Sequence, residues 1–319
     1  MSLGEFELIA KYFSRAASRD AHGVGDDCAL LATEPGMQLA ISCDMLVEGR
    51  HFLSTVDPVR LGHKALAVNL SDLAACGARP LAFSMALAMP RVDEPFLEGF
   101  SSGLYALADR HGCELIGGDT TQGPLNICIT VFGEIPAGQA LLRAGALPGD
   151  EIYVSGTLGD ARLALEVLRG RAVLEGGDFE AVRPAMEQPQ PRVGLGMALR
   201  GVASSAIDVS DGLIGDLCHV LRSSGVGASV EVASLPRSAA LGKQPQARQL
   251  ECLLAGGDDY ELLFTAPPRL ADRVRAAARQ GGVLVTRIGR IEAVSGLRLQ
   301  DADGRDVLNT FGSFDHFKS

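Results

Sequence analysis

The sequence predicts an α/β (α+β) fold divided into two domains, residues 1–140 and 141–319. A chain of 319 residues exceeds what one hydrophobic core usually organises, and 47% hydrophobic content is ample for burial. Short apolar runs typical of strands alternate with helical patterns along the chain. Residues 136–150 contain three Gly and two Pro, which makes this stretch the best candidate for a linker between the domains.

In the first domain, the apolar spacing of residues 6–13 predicts a short amphipathic helix. A strand is expected at 39–44, where the period of two puts Ser42 and Asp44 on one face. The other elements expected in this domain are a strand at 81–89, a helix at 95–111, a strand at 113–116 that runs into a glycine-rich segment, and a strand at 125–134.

A longer helix is predicted over 59–76. Asp57 is a suitable N-cap, Pro58 suits the first helical position, and Gly77 is typical of a helix end. The apolar stripe of this helix, continued along its length, arrives at Asp72. A carboxylate therefore occupies a position where the pattern predicts apolar packing, which indicates a functional role.

The second domain is expected to begin with a strand and to alternate from there. Its predicted elements are a strand at 151–155, a helix at 160–168, a less regular polar stretch through 192, a strand and helix within 204–223, and a strand-rich region at 250–299.

Charge and cysteine content exclude several classes of protein. A net charge of −10 argues against a nucleic-acid or anionic-membrane surface, because such surfaces need clustered Lys and Arg. The seven Cys are scattered and never form a CxxC pair, so neither a disulfide framework nor a zinc site is indicated. No signal peptide or membrane span is expected from the apolar pattern, which predicts a cytoplasmic protein with a small-molecule partner.

Acidic clusters bordered by Gly or Ser are the strongest chemical signal in the chain. Six such clusters lie at 25–27, 42–44, 69–72, 117–119, 208–212 and 256–260, and most follow an apolar run expected to be a strand. Any one of these Asp residues is more often a cap or turn former than a ligand. Several carboxylates that converge need cations, and hard oxygen ligands select Mg²⁺. Magnesium in turn points to phosphates, since it commonly bridges protein carboxylates to nucleotide oxygens.

Individual residues differ in how strongly they support this reading. Asp72 and Asp208 support it best, because each interrupts an apolar pattern and a buried carboxylate needs a partner or a metal. Asp211 opens a helix and is also explained as a simple N-cap. Arg143 suits a phosphate clamp, with a solvated surface Arg as an equal alternative, whereas His51 is more often a surface or packing residue than a ligand. The chain has no GxxxxGK[ST] loop, so a nucleotide would be held mainly through metals.

Eight motifs occur in order along residues 4–317: GEFELIAKYF, GDDCALL, AISCDMLVEGRHF, KALAVNLSDLAACGA, LIGGDTT, IDVSDGL, GGDDYELLF and FDHF. Together they resemble the thiamine-monophosphate kinase family, which belongs to the aminoimidazole-ribonucleotide-synthetase-like ATP-binding superfamily. The resemblance implies the two-domain fold of this superfamily, in which the N-terminal sheet forms a barrel across a homodimer interface. It also implies direct in-line transfer of the γ-phosphate of ATP to thiamine monophosphate, giving thiamine diphosphate, with several Mg²⁺ ions and no phosphoenzyme.

The resemblance also implies roles for particular residues. Residues 1–140 would bind ATP and Mg²⁺ and dimerise, and residues 141–319 would complete the nucleotide and substrate site. The implied Mg²⁺ ligands are Asp27, Ser42, Cys43, Asp44, Asp72, Asp119, Asp208 and Asp211. The implied ATP contacts are Gly118, Asp119, Arg143 and Ser210. The implied thiamine monophosphate contacts are His51, Asp258 and Phe314, the last with an aromatic face suited to a cationic thiazolium ring.

Two positions depart from the family pattern. Asp258 stands where the GGEDYEL motif usually has Glu, and Cys43 stands where Thr is common. One alternative is another superfamily enzyme, such as selenophosphate synthetase, a hydrogenase-maturation dehydratase or aminoimidazole ribonucleotide synthetase, although the ending FDHFKS lacks the Cys of the maturation chemistry. The other alternative is a non-catalytic nucleotide or thiamine-phosphate binding protein, which would have little need for so many metal ligands.

Overall fold

The chain divides into two structural units. The computed structural model describes residues 4–15, 24 and 28–307. The first unit comprises residues 1–73 and 78–138, and the second comprises residues 74–77 and 139–319. Each unit contains one β-sheet with helices packed against it.

The first unit is built around a four-stranded sheet. Its elements are α1 (Glu5–Tyr12), β1 (Met37–Val47), α2 (Pro58–Ala75), β2 (Arg79–Met89), α3 (Glu94–His111), β3 (Glu114–Gln122) and β4 (Asn126–Pro136). The strand order is β1-β4-β2-β3. The β1/β4 and β4/β2 pairs are antiparallel, and β2/β3 is parallel. Among the described residues the sheet is open, with β1 and β3 at its edges.

Local chemistry explains the long helices of this unit. The Asp57 carboxylate accepts a hydrogen bond from the Arg60 N–H at 3.2 Å, and Pro58 is the first helical residue of α2. Asp93 caps α3 in the same way: its carboxylate accepts a hydrogen bond from the Phe96 N–H at 3.1 Å. The two helices approach closely, since a Cβ added at Gly103 would lie 1.8 Å from the Val59 carbonyl oxygen. This contact fixes α2, the helix that carries Asp72.

The second unit is built around a seven-stranded mixed sheet in the order β11-β10-β7-β9-β5-β8-β6. Its strands are β5 (Glu151–Ser155), β6 (Ser205–Asp208), β7 (Gly227–Glu231), β8 (Leu262–Ala266), β9 (Val285–Glu292), β10 (Gly296–Gln300) and β11 (Asp306–Val307). Its helices are α4 (Asp160–Leu168), α5 (Asp178–Glu187), α6 (Val193–Ala198), α7 (Leu213–Ser224), α8 (Ala239–Gly242), α9 (Gln246–Ala255) and α10 (Ala271–Gly281). In the described part of the chain, no helix is both long enough and apolar enough to cross a membrane.

Strands β5, β8 and β6 lie side by side at one end of this second sheet, with β6 as its edge strand. All four residues of β6 and all five residues of β8 are buried, as expected of strands covered on both faces. Helix α7 packs its apolar stripe, which includes Leu217 and Leu221, into the same hydrophobic cluster. The buried end of β6 therefore carries Asp208 to the edge of a rigid core.

Several elements differ from the sequence prediction. The strand expected to end at 116 continues as β3 through Gly117 and Gly118 to Gln122. The stretch expected to be irregular contains α5, whose internal Pro184 is typical of a helix break. The region expected to be strand-rich contains α9 and α10 as well as strands. Long-range packing of apolar positions overrides these local signals.

The acidic clusters also sit differently from the expected strand ends. Asp44 and Asp119 lie inside β1 and β3, and Asp258 precedes β8 rather than following a strand. Asp208 is the last residue of β6, as the pattern predicts.

Candidate active site

The first group of predicted site residues joins β1 to α2. The Ser42 hydroxyl donates a hydrogen bond to the Asp72 carboxylate at 2.5 Å. The Asp44 N–H donates to the Asn69 side-chain oxygen at 3.0 Å, and the Asn69 amide nitrogen donates to the Ala65 carbonyl, also at 3.0 Å. The Ser42 side chain meets α2, and the period of two places the Asp44 side chain on the same face of β1. Hydroxyl and carboxylate oxygens collect along this seam.

Cys43 lies on the opposite face of β1. Its thiol is exposed and stands 3.5 Å from the Cys128 thiol on β4, and burial raises the pKa of Cys128 to about 11. A Cys43 ligand on the Asp72 side of the strand would therefore be its main-chain oxygen.

A cavity of about 700 Å³ opens beside β3 within the first unit. Its lining includes the 117–120 segment of β3, together with Ser84 and Phe132 of the neighbouring strands. Val24 and Cys28 line the cavity as well. A Cβ at Gly118 would lie 1.9 Å from the Met85 carbonyl oxygen, so only Gly allows β3 to approach β2 here. The volume is in the range of small-molecule sites.

His51 closes the turn that follows β1. Its Nδ1 accepts a hydrogen bond from the Val47 N–H at 2.9 Å, and its carbonyl accepts one from the Lys64 ammonium at 3.2 Å. Because Nδ1 accepts, a neutral ring carries its proton on Nε2. This packing role and a role in ligand contact are compatible, since the imidazole is only half-buried.

In the second unit, two sequence-distant motifs are joined by their backbones. The Asp258 N–H donates to the Ser210 carbonyl at 2.9 Å, and the Tyr260 N–H donates to the Val209 carbonyl at 2.8 Å. Asp258 and Tyr260 have φ angles of +66° and +50°, which non-glycine residues rarely adopt. The Tyr260 hydroxyl donates to the Asp258 carboxylate at 3.0 Å. These bonds bring Asp258 next to Ser210 and lock both in position.

The turn after β6 is held by a carboxylate outside the predicted set. One oxygen of Asp216 accepts hydrogen bonds from the N–H groups of Ser210, Asp211 and Gly212, each at 3.1 Å. Gly212, not Asp211, is the N-cap of α7. Burial, with the charge of Asp211 beside it, raises the pKa of Asp216 to about 7, against the lowering effect of the three N–H donors.

Arg143 is exposed on the side of α7. Its carbonyl accepts a hydrogen bond from the Ser224 hydroxyl at 3.4 Å. Partial burial, with the guanidinium groups of Arg222 and Arg143, lowers the pKa of His219, and Asp211 acts in the opposite direction. Arg143 therefore lies within electrostatic range of the same helix that Asp211 precedes.

Two predicted residues, Asp27 and Phe314, lie outside the described residues. Among residues 4–15, 24 and 28–307, no three His, Cys, Asp or Glu side chains come close enough together to hold a metal ion. The described carboxylates instead occur in smaller groups: Asp44 and Asp72 along the β1–α2 seam, and Asp208 and Asp211 at the end of β6.

Comparison with known proteins identifies the family. Residues 25–135 match the AIR synthase related protein N-terminal domain, and residues 148–302 match the corresponding C-terminal domain. The thiamine-monophosphate kinase of Salmonella typhimurium is 49% identical over 99% of both chains. This chain belongs to the thiamine-monophosphate kinase family.

Solved structures of family members share the fold. The thiamine-monophosphate kinase of Stenotrophomonas maltophilia K279a is 44% identical, with a TM-score of 0.87 over 96% of this chain and 99% of that one. The structure of AaThiL complexed with AMPPCP and TMP is 30% identical, with a TM-score of 0.78 over 90% of this chain and 89% of that one. The mixed α/β, two-domain prediction of an aminoimidazole-ribonucleotide-synthetase-like fold is confirmed.

Sequence reasoning missed two residues that organise the site in this family member. Asp216 follows Leu213 by three positions and so falls on the apolar stripe of α7, the same signal that marks Asp72 on α2. Asn69 is buried on α2 and binds the backbone of Asp44. Its position three residues before Asp72 puts it on the same helix face, which is the signal that could have found it.

Proposed function

We propose that this chain transfers the γ-phosphate of ATP to thiamine monophosphate, giving thiamine diphosphate. The observation that carries the proposal is the similarity to a thiamine-monophosphate kinase at 49% identity over 99% of both chains. A family structure that holds the ATP analogue AMPPCP together with TMP supports the pairing of nucleotide and acceptor.

The donor set fits Mg²⁺. Ser42, Asp44 and Asp72 offer hydroxyl and carboxylate oxygens along one seam, and Asp208 and Asp211 offer carboxylates in the second unit. Mg²⁺ retains several waters and is commonly held by one or two carboxylates plus substrate phosphates, so small carboxylate groups suit it better than a full protein cage would. Bound with ATP, Mg²⁺ would neutralise charge on the phosphate oxygens.

The Mg²⁺ and nucleotide contacts extend the same proposal. We assign metal contacts to Asp27, Ser42, the Cys43 main-chain oxygen, Asp44, Asp72, Asp119, Asp208 and Asp211. ATP would contact Gly118, Asp119, Arg143 and Ser210. The N–H of Ser210 already bonds to Asp216 and its carbonyl to the Asp258 N–H, so Ser210 would use its hydroxyl. The exposed guanidinium of Arg143 is a strong donor to phosphate oxygens.

The acceptor contacts are His51, Asp258 and Phe314. The proton on Nε2 of a neutral His51 gives it one donor for a phosphate oxygen of the acceptor. The Asp258 carboxylate is one methylene shorter than the Glu common in the family, and the hydrogen bond that it accepts from the Tyr260 hydroxyl restricts its orientation. Transfer in this scheme is direct and in line, with no phosphoenzyme.

The two halves of the chain take different parts in this proposal. Residues 1–140 bind ATP and Mg²⁺ and dimerise, and residues 141–319 complete the nucleotide and substrate site. The sheet of the first unit is open among the described residues, and its edge strand β1 exposes Leu39, Ile41 and Met45. An open sheet with an exposed apolar edge favours pairing with another sheet. We propose that a second copy of the chain supplies it, closing a barrel across a homodimer interface.

Product analysis tests the proposed reaction. The protein is incubated with ATP, Mg²⁺ and thiamine monophosphate, then with EDTA added, and then with free thiamine as the acceptor. Metal-dependent formation of ADP and thiamine diphosphate, without reaction of free thiamine, is the expected result. Metal-dependent binding of ATP without transfer would overturn the kinase proposal and favour a non-catalytic binding protein or another superfamily activity.

A further inference from the structure

Asp216 occupies an unusual position at the start of α7. It lies four residues after the N-cap Gly212, and its carboxylate is buried with 3% of the residue exposed. One of its oxygens accepts three hydrogen bonds from the consecutive N–H groups of Ser210, Asp211 and Gly212. An ordinary cap satisfies one or two such groups and comes from the residue that precedes the helix.

These three hydrogen bonds fix the backbone conformation of the turn between β6 and α7. The carbonyl of Ser210 is also engaged, by the Asp258 N–H at 2.9 Å. Gly212 has a φ of +112°, and a Cβ there would lie 3.0 Å from the Ala255 backbone. The N–H groups of this turn are therefore already bound to a protein carboxylate, whereas the N–H groups that a helix start commonly offers to a phosphate belong here to Leu213 and the residues after it. What the turn can present to a ligand is its side chains.

We propose that Asp216 is a positioning residue that holds the 210–212 turn so that Ser210 and Asp211 present their side chains to ATP and Mg²⁺. The inference rests on the proposed function for the identity of those ligands. Asp216 acts through the backbone of its neighbours, and it does not touch the nucleotide or the metal. A residue that supports metal ligands in this way typically changes metal affinity by about 10–100-fold when it is replaced.

A purely structural cap would behave differently. Its loss would lower the melting temperature but would leave the Mg²⁺ dependence of the folded protein unchanged. Asp160 offers a matched control, because it is another buried carboxylate in the same unit and accepts hydrogen bonds from Ser238, at 2.6 Å, and from Thr157 rather than from the 210–212 turn.

The test compares Asp216→Ala and Asp216→Asn with Asp160→Ala in the full-length protein. Calorimetric titration of Mg²⁺ with AMPPCP measures binding without turnover, and the kinase assay measures kcat and the half-saturating Mg²⁺ concentration. We expect Asp216→Ala to weaken Mg²⁺-dependent AMPPCP binding by about tenfold or more. The amide oxygen of Asp216→Asn can still accept, so a smaller loss of about threefold is expected. Asp160→Ala should change only the melting temperature.

The outcomes separate this inference from the proposed function. If the parent protein binds AMPPCP with Mg²⁺ but phosphorylates no thiamine monophosphate, the kinase proposal fails and the binding comparison still decides the role of Asp216. Parental Mg²⁺-dependent binding in folded Asp216→Ala would overturn the inference. If Asp216→Ala does not fold, parental binding in Asp216→Asn would overturn it instead.

Discussion

At the scale of single residues, Asp208 is the buried carboxylate among the proposed Mg²⁺ ligands of the second unit. It is the last residue of the buried strand β6, and only 4% of it is exposed. Its backbone continues directly into the turn that holds Ser210 and Asp211. A carboxylate in such a place is costly to bury unless it is paired, hydrogen-bonded or bound to a metal.

Asp208→Asn should abolish phosphoryl transfer while the protein stays folded. The amide has nearly the same volume but cannot neutralise a cation, so we expect kcat to fall by about a hundredfold or more at saturating Mg²⁺. Circular dichroism and the melting temperature should remain near those of the parent. Near-normal activity in the variant would remove Asp208 from the metal-binding set.

The buried carboxyl of Asp160 makes the folding stability of the protein depend on pH. Burial raises the pKa of its carboxyl, although hydrogen bonds from Ser238 and Thr157 lower it. A carboxyl with a raised folded-state pKa contributes stability that is fully present below its pKa in the unfolded chain, about 4, and is lost as the pH rises through the folded-state value. Asp160→Asn removes that loss. We therefore expect the melting temperature of Asp160→Asn, minus that of the parent, to be larger near pH 7 than near pH 4. The lower pH is close to the reference pKa of about 4 for an Asp side chain.

Differential scanning calorimetry at the two pH values measures this effect. Kinase activity at neutral pH is the control for a folded protein, because Asp160 is not among the proposed site residues. If the melting temperatures of Asp160→Asn and the parent differ by the same amount at both pH values, the pKa of Asp160 is not raised in the folded protein.

At the scale of elements, β3 depends on one glycine. Gly118 has a φ of +151°, and a Cβ there would meet the Met85 carbonyl oxygen at 1.9 Å, whereas a Cβ at Gly117 meets nothing within 4 Å. The register of β2 and β3 shifts between Phe83 and Ser84, just before this close approach. Irregularities of this kind often lie beside functional sites.

Gly118→Ala should displace β3 from β2 and carry Asp119 with it. Because a misplacement of about 1 Å can cost about a hundredfold in rate, we expect kcat/KM for ATP to fall by about tenfold or more. The melting temperature should fall as well. Gly117→Ala is the matched control and should retain most of the activity. Equal activity in both variants would show that the close approach at Gly118 does not position Asp119.

The seam between β1 and α2 joins an extended strand to a helix through polar groups. Two hydrogen bonds form this seam: the Ser42 hydroxyl donates to Asp72, and the Asp44 backbone N–H donates to Asn69. The strand residues are two positions apart and the helix residues are three apart. This spacing satisfies the strand period of two and the helical spacing of three at the same time. Two different local periodicities thereby bring oxygen ligands together.

At the scale of the whole molecule, the proposed homodimer can be tested on β1. Ile41 is 59% exposed on the edge strand of the open sheet. Ile41→Glu would bury a charge in the proposed interface, which costs several kcal/mol when it is unpaired. We expect this variant to sediment as a monomer at concentrations where the parent is a dimer.

Val173→Glu is the control for that experiment. Val173 is 86% exposed in the second unit and lies outside the proposed interface, so its variant should remain a dimer. A dimer in Ile41→Glu, measured by analytical ultracentrifugation, would show that β1 does not form the interface.

The sequence by itself determined the features that depend on near neighbours. The Asp57–Pro58 start of α2, the common face of Ser42 and Asp44, and the burial of β6 all follow from capping chemistry and from periodicity. The ordered motifs predicted the family, which is confirmed. Local rules suffice here because each signal lies within a few residues of the element that it specifies.

Only the tertiary structure decided which distant residues meet. The Asp258 N–H donates a hydrogen bond to the carbonyl of Ser210, which lies 48 positions earlier in the chain. The Ser42 hydroxyl donates one to Asp72, which lies 30 positions later. The continuation of β3 through Gly118 and the helix around Pro184 were likewise decided by neighbouring strands and buried side chains. Hydrogen bonds and packing between distant segments leave no periodic trace in the sequence, because their partners are set by the fold as a whole.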